Sequence, residues 1–216
     1  MYFFLDTAET DQWDYWLSKG LFYGVTTNPT LLSRARIPCT LEQLKSLADR
    51  AFQLGAQEIH LQTWGTDTQS LVQRGEAIAA IDPRVVVKVP ITLMGTEAAT
   101  QLLQQGIRVT LTGVYAVHQA LIAAAIRAHF AAPYLGRITD LGQDGRQQIA
   151  VMQQGLQGVN SLTKLLVASI RSIDDITHLA TYGLDTFTLS PTIAKQLFQV
   201  EATDKAALAF EKAAQG

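Results

Sequence analysis

The sequence predicts a (β/α)8 TIM barrel, a single domain over residues 1–216 with an extra helix at its C-terminal end, about 203–214. Three observations carry this expectation. Apolar strand-like runs alternate with amphipathic helical stretches from end to end, which favours a parallel sheet. The alternation repeats eight times in about 200 residues, the economy of a closed barrel. A doubly wound open sheet, the competitor, usually announces a glycine-rich first turn, and Leu5-Asp6-Thr7-Ala8-Glu9-Thr10 has none.

The elements follow in order. Tyr2–Asp6 is an aromatic-rich strand, followed by a helix over Asp11–Lys19 whose Trp13 and Trp16 share a packing face and which Gly20 ends. Tyr23–Thr27 is the second strand. The helix Leu41–Leu54 begins where Thr40 and Gln43 fit a capping box, and Gly55 ends it. Strand Glu58–Thr63 leads to the helix Thr68–Ala80, with Thr66 and Gln69 as its expected box. Strand Arg84–Val89 is a β-branched run with the pattern of a fully buried strand. The helix Thr96–Gln105 stops at Gly106 before strand Ile107–Thr112 and helix Tyr115–Arg127. Strand His129–Leu135, helix Arg146–Gly155, strand Lys164–Ser169, helix Ile173–Tyr182, strand Thr186–Ser190 and helix Thr192–Phe198 complete the repeat. A last helix covers Thr203–Ala214.

Composition narrows the function classes. The chain is 48% apolar and 17% charged, with a formal net charge of -2. Its basic residues are scattered, so neither nucleic acid nor a membrane surface is an expected partner. The apolar stretch Ala120 to Ile126 is far short of the ~20 residues of a spanning helix. Asp6 and Glu9 and the lack of a basic segment argue against a secretory signal. Cys39 is the single cysteine, which excludes an internal disulfide and a thiolate metal cluster. His60, His118, His129 and His178 lack metal-binding spacing, and His60 reads as a core or rim residue. No phosphate loop, dinucleotide fingerprint or nucleophile elbow occurs. The expectation is a soluble cytoplasmic protein that needs no metal and no cofactor.

Lys88 lies in Val85-Val86-Val87-Lys88-Val89-Pro90. A buried lysine costs several kcal/mol unless its charge is paired or given up. Burial lowers its pKa and makes the amine a usable nucleophile, which points to Schiff-base chemistry on a carbonyl. The other strands also end in polar residues: Asp6, then Thr26 and Asn28, Gln62, and Thr112. Tyr134 lies near the end of the sixth strand with Arg137 beyond it, and Ser169 ends the seventh with Arg171 beyond it. A closed barrel brings these ends to one rim, where such enzymes keep their chemistry.

Alone, Asp6 reads as a helix cap; beside Lys88 a carboxylate can move protons. Gln62 cannot titrate and can only position water or a hydroxyl. Tyr134 alone reads as core; its phenol can also carry a proton. Arg137 and Arg171 alone read as surface residues. In the sector after the sixth and seventh strands, however, barrel enzymes often hold phosphate, for which guanidinium is suited. Ser169 and Arg171, one residue apart on an extended backbone, are expected to point the same way.

Four segments carry a family resemblance. Gly24-Val25-Thr26-Thr27-Asn28-Pro29-Thr30-Leu31-Leu32 resembles the second-strand motif of the transaldolase family. Val86-Val87-Lys88-Val89-Pro90-Ile91-Thr92, followed by Gly95, resembles its Schiff-base lysine segment. Ala132-Pro133-Tyr134-Leu135-Gly136-Arg137 and Ala168-Ser169-Ile170-Arg171 resemble its sixth- and seventh-strand motifs. The similarity covers nearly the whole chain, and the length fits the short members, which include small transaldolases and fructose-6-phosphate aldolases.

The resemblance implies a class I aldol mechanism on sugar phosphates and hydroxyketones. Lys88 would form the imine and Asp6 would move protons; Tyr134, Gln62 and Thr112 would assist catalysis. Thr26, Asn28 and Ser169 would hold hydroxyls, and Arg137, Ser169 and Arg171 the phosphate. Within the family, Gln and Tyr at positions 62 and 134 mark aldolases, whereas transaldolases carry Glu and Phe. The segment Gly136–Gly145 looks more like the loop of small transaldolases. The expected activity is therefore reversible cleavage of fructose 6-phosphate to dihydroxyacetone and glyceraldehyde 3-phosphate. Transfer of the dihydroxyacetone unit between sugar phosphates is the alternative, and a non-catalytic sugar-phosphate-binding barrel a third reading. Short members commonly form pentamers or decamers, so a homo-oligomer is implied, with the C-terminal helix reaching a neighbour.

Overall fold

A computed structural model describes residues 1–216. Eight parallel strands form one sheet in the order β7-β6-β5-β4-β3-β2-β1-β8. They are β1 Tyr2–Asp6, β2 Phe22–Thr26, β3 Glu58–Gln62, β4 Val85–Pro90, β5 Val109–Val114, β6 Phe130–Pro133, β7 Lys164–Leu165 and β8 Thr186–Leu189. A bridge between Val167 and Phe187 brings the two ends of this order together, so the sheet closes into a (β/α)8 barrel. Helices α1 Thr10–Leu17, α2 Pro29–Arg34, α3 Leu41–Gln53, α4 Thr68–Ala79, α5 Leu93–Gln104, α6 Val117–Ala125, α7 Leu135–Asp140, α8 Gly145–Gly158, α9 Ile173–Ala180 and α10 Pro191–Gln196 lie between and after the strands. Helix α11, Glu201–Ala214, ends the chain. None of these helices is long and apolar enough to cross a membrane.

Alternation along each strand divides its side chains between two environments. One set, including Leu5, Val25, Ile59, Val87 and Leu111, packs outward against the helices, where Trp13 and Trp16 of α1 are also buried. The other set fills the lumen, where Phe4, Val86, Phe130, Ala132 and Leu166 make a small separate cluster that Tyr134 covers. The lumen is therefore a packed floor beneath the strand ends.

Four local expectations need correction. Helix α4 is capped by Asp67 and Ser70, not by Thr66 and Gln69: Asp67 accepts from the Ser70 amide at 2.7 Å while the Ser70 hydroxyl reaches back to the Asp67 amide. Helix α5 starts at Leu93, three residues before the expected Thr96, because the Thr92 hydroxyl accepts from the Gly95 amide. Two short helices were not expected. Asn28 caps α2 with Pro29 in its first turn, and α7 follows Tyr134 directly. The seventh strand stops after Leu165, and Ser169 has φ 58, so the extended backbone expected to align Ser169 with Arg171 is broken between them. The terminal helix, expected from about residue 203, is present as α11; it buries no residue and leaves Leu208 and Phe210 exposed.

Candidate active site

Lys88 is buried in β4, 4% exposed, and its Nζ donates to the Thr27 carbonyl at 3.0 Å. Burial lowers its pKa; the Asp6 charge opposes that shift and the Arg137 charge adds to it. The amine opens on a cavity of about 200 Å³ at the C-terminal ends of the strands, shared with Asp6, Asn28, Tyr134, Arg137 and Ser169. The convergence expected of the strand ends is thus found for these six residues.

Strand pairing places the supporting groups. Asp6 is in register with Thr26, whose hydroxyl donates to the Asp6 carboxylate at 2.6 Å and lies 2.6 Å from the Thr188 hydroxyl. The Asn28 side-chain oxygen is used to cap α2, accepting from the Leu31 amide at 3.0 Å, which leaves its NH2 group as the donor for a ligand. Gln62 and Thr110 flank Lys88 in register on the neighbouring strands. Gln62 is half-buried beside the lysine but does not line the cavity.

The far wall is aromatic. The Tyr134 hydroxyl and Thr112 hydroxyl are 2.7 Å apart. Burial raises the Tyr134 pKa and outweighs the opposing effect of the Thr112 hydrogen bond, so the phenol keeps its proton at neutral pH. The Arg137 guanidinium lies 4.7 Å from the centre of the Tyr134 ring and donates to the Tyr115 hydroxyl at 3.3 Å. The site therefore combines a desolvated amine, a carboxylate held by a hydroxyl, and a neutral phenol. That set can attack a carbonyl and carry protons to and from the product.

Arg171 does not share this cavity. Its guanidinium forms a two-pronged pair with Asp140, and it lines a neighbouring hollow with Gly136, Arg146 and Asp175. The left-handed turn at Ser169 and the acidic partner on α7 together explain the departure from the sequence expectation. Arg34, at the end of α2, does line the cavity, as do Thr30 and Ser190. Those three escaped sequence reasoning; the Asn-Pro and Ser-Pro steps that start α2 and α10 are the signal that could have located them.

His60 belongs to the core beneath the site. Its Nε2 lies 2.7 Å from Glu58 and its Nδ1 2.9 Å from the Thr110 hydroxyl, while Arg108 pairs with Glu58 at 2.5 Å. Burial lowers the His60 pKa and dominates the opposing pull of Glu58. Burial alone would raise the Glu58 carboxyl, but the His60 hydrogen bond and the His60 and Arg108 charges outweigh it and hold it below its usual range.

The family model for "Transaldolase/Fructose-6-phosphate aldolase" matches residues 3–215. The chain belongs to the transaldolase/fructose-6-phosphate aldolase family. A "Probable transaldolase" of Maricaulis maris is 34% identical over 210 residues, covering 97% of this chain and 94% of that one. Another, from Kosmotoga olearia, is 32% identical over 205 residues, covering 95% and 92%. Among solved structures, a flavocytochrome b2 variant superposes with a TM-score of 0.59 at 14% identity, over 88% of this chain and 56% of that one. That likeness concerns the barrel fold alone.

Proposed function

We propose that this protein is a class I aldolase that reversibly cleaves fructose 6-phosphate to dihydroxyacetone and glyceraldehyde 3-phosphate. The observation that carries the reading is the buried Lys88 amine opening on one cavity with Asp6 and Tyr134. Neutral Lys88 attacks the ketone carbon, and loss of water leaves a protonated imine. Asp6 takes the proton from the hydroxyl on C4 as the C3–C4 bond breaks. The electron pair of that bond moves into the imine and leaves an enamine on Lys88, while the aldehyde half departs. A proton delivered from Tyr134, replaced from solvent, converts the enamine back to an imine, and water releases dihydroxyacetone and the free amine. Thr112 orients the phenol, and Gln62 beside Lys88 positions water. Thr26 fixes Asp6, Asn28 and Ser169 hold donor hydroxyls, and Arg137 binds the phosphate. Arg171 reaches the phosphate only by leaving Asp140.

A second reading is a small transaldolase, in which the enamine waits for erythrose 4-phosphate instead of a proton. The relatives named "Probable transaldolase" favour it. Gln62 and the phenol of Tyr134 favour the aldolase. Rates with fructose 6-phosphate, measured with and without erythrose 4-phosphate, separate the two. Free dihydroxyacetone released without acceptor supports the aldolase; turnover only with acceptor supports transfer. The same reading treats 1–216 as one cytoplasmic catalytic domain. It also makes the protein a homo-oligomer, supported by Leu208 and Phe210 exposed on α11; light scattering giving a monomer mass would contradict that part.

A further inference from the structure

Asp6 stands on β1 between β2 and β8, and a threonine on each of those strands joins a chain that ends on its carboxylate. Thr26 of β2 donates its hydroxyl to Asp6 Oδ1 at 2.6 Å. Thr188 of β8 places its hydroxyl 2.6 Å from that of Thr26, which is its one side-chain partner. Both threonines are buried, and Thr188 does not line the cavity, so it touches no substrate there. A valine at position 188 would fill the same space without the cost of burying a hydroxyl, so packing does not explain the residue.

Counting protons fixes the direction of the chain. A hydroxyl has one proton to give, and an ionised carboxylate only accepts. Thr26 gives its proton to Asp6, so Thr188 is the donor to Thr26. Both O–H groups therefore point towards Asp6 Oδ1, and a hydroxyl that itself accepts a hydrogen bond is the stronger donor. A proton placed on Oδ1 would reverse the order, and Thr188 would lose the acceptor it has. Asp6 Oδ2 has no hydrogen-bond partner in the protein, and no unpartnered polar side-chain atom is buried, so Oδ2 is the oxygen open to the cavity.

We propose that Thr188 is a positioning residue: through Thr26 it holds Oδ1 of Asp6 as a hydrogen-bond acceptor and reserves Oδ2 for the substrate proton. This rests on the reading of Asp6 as the base beside a Schiff-base lysine. The proton of the C4 hydroxyl goes to Oδ2, its O–H electron pair becomes the second bond of the aldehyde carbonyl, and the C3–C4 pair passes into the imine. Oδ2 then returns the proton through the cavity, because the hydroxyl chain ends inside the barrel wall and has no outlet. Without Thr188 the Thr26 hydroxyl is free to turn, and Oδ1 competes for the proton on the side away from the substrate.

The test is steady-state kinetics on fructose 6-phosphate with erythrose 4-phosphate present, so that either fate of the enamine gives turnover. Thr188→Val keeps the branched shape and is expected to lower kcat about fivefold with KM held, the loss of one neutral hydrogen bond. Thr188→Ala is expected to show the same loss, and Thr188→Ser, which keeps the hydroxyl, to restore kcat; this pair decides the matter if the valine variant does not fold. In a Thr26→Val background the link to Asp6 is already cut, so Thr188→Val is expected to change kcat by less than about twofold. The proposal is overturned if removing the Thr188 hydroxyl leaves kcat unchanged or raises KM instead. It is also overturned if serine does not restore the rate, or if the loss persists undiminished without Thr26. Borohydride trapping with dihydroxyacetone on the intact protein separates the two layers. Trapping with a kcat indifferent to Thr188 sinks this role alone, and failure to trap sinks the Schiff-base reading beneath it.

Discussion

Replacing Lys88 by methionine is expected to stabilise the barrel while ending its activity. The two side chains are close in size, so the packing between Val86, Thr27 and the neighbouring strands is kept. The loss is one hydrogen bond to the Thr27 carbonyl, about 1 kcal/mol net. The gain is removal of a buried ionisable group in favour of an apolar one, about 1–4 kcal/mol. A net gain of about 0–3 kcal/mol raises Tm by up to roughly 10 °C for a chain of this length. The pH dependence follows from the lowered Lys88 pKa. Between that value and the ordinary 10.5, the unfolded chain holds a proton that the folded one has lost, so stability rises with pH. The penalty carried by Lys88 is full at pH below its folded pKa and gone above the ordinary value. The Tm gap between Lys88→Met and the parent, measured by calorimetry, is therefore widest on the acid side and closes as pH approaches 10.5. A variant less stable than the parent at pH 7, or a gap that does not close, would refute the claim that this amine is held against a desolvation cost.

Four other perturbations test the surrounding structure. Tyr134→Phe removes the phenol bonded to Thr112 and is expected to lower release of free dihydroxyacetone by about 100-fold while moving the ratio toward transfer; an unchanged ratio removes the phenol from proton delivery. Glu58→Gln leaves Arg108 and His60 without their buried carboxylate and is expected to cost about 3–5 kcal/mol in urea unfolding, with less than 1 kcal/mol counting against it. In the parent the lowered His60 pKa makes stability fall once pH drops below about 6.5, where the unfolded imidazole takes up a proton that the folded one refuses; His60→Phe should flatten that limb. Gly95→Ala puts a Cβ 1.9 Å from the Pro90 carbonyl oxygen, at the end of the strand that carries Lys88, and is expected to cost about 1–3 kcal/mol or more and to lower activity with it. Wild-type Tm and rate in that variant would show that the loop yields without strain.

Much of the site was legible because its residues have local signatures. A lysine in a β-branched run, and Asp6, Thr26, Asn28 and Tyr134 at strand ends, are visible without knowing which strand pairs with which. The closed order of strands then brings those ends together. Arg34 was not legible, because α2 is only six residues long and too short to show a helical period. The Arg171 expectation failed for two physical reasons: Ser169 turns the backbone through the left-handed region, and Asp140 from another element takes the guanidinium. At α4 two adjacent residues offered plausible caps, and the reciprocal bond from Ser70 decided for Asp67. The buried Glu58–His60 pair, joined by Arg108, links β3 to the residue just before β5, a tertiary arrangement that spacing along one strand does not reveal.

The central claim is that Lys88 forms a covalent imine with a ketone donor. The protein is incubated with dihydroxyacetone, reduced with borohydride, digested and analysed by mass spectrometry. One reduced adduct on the peptide containing Lys88, absent from Lys88→Met, is the predicted result. An unmodified Lys88 peptide under conditions that bind the donor, or an adduct on a different lysine, would contradict it.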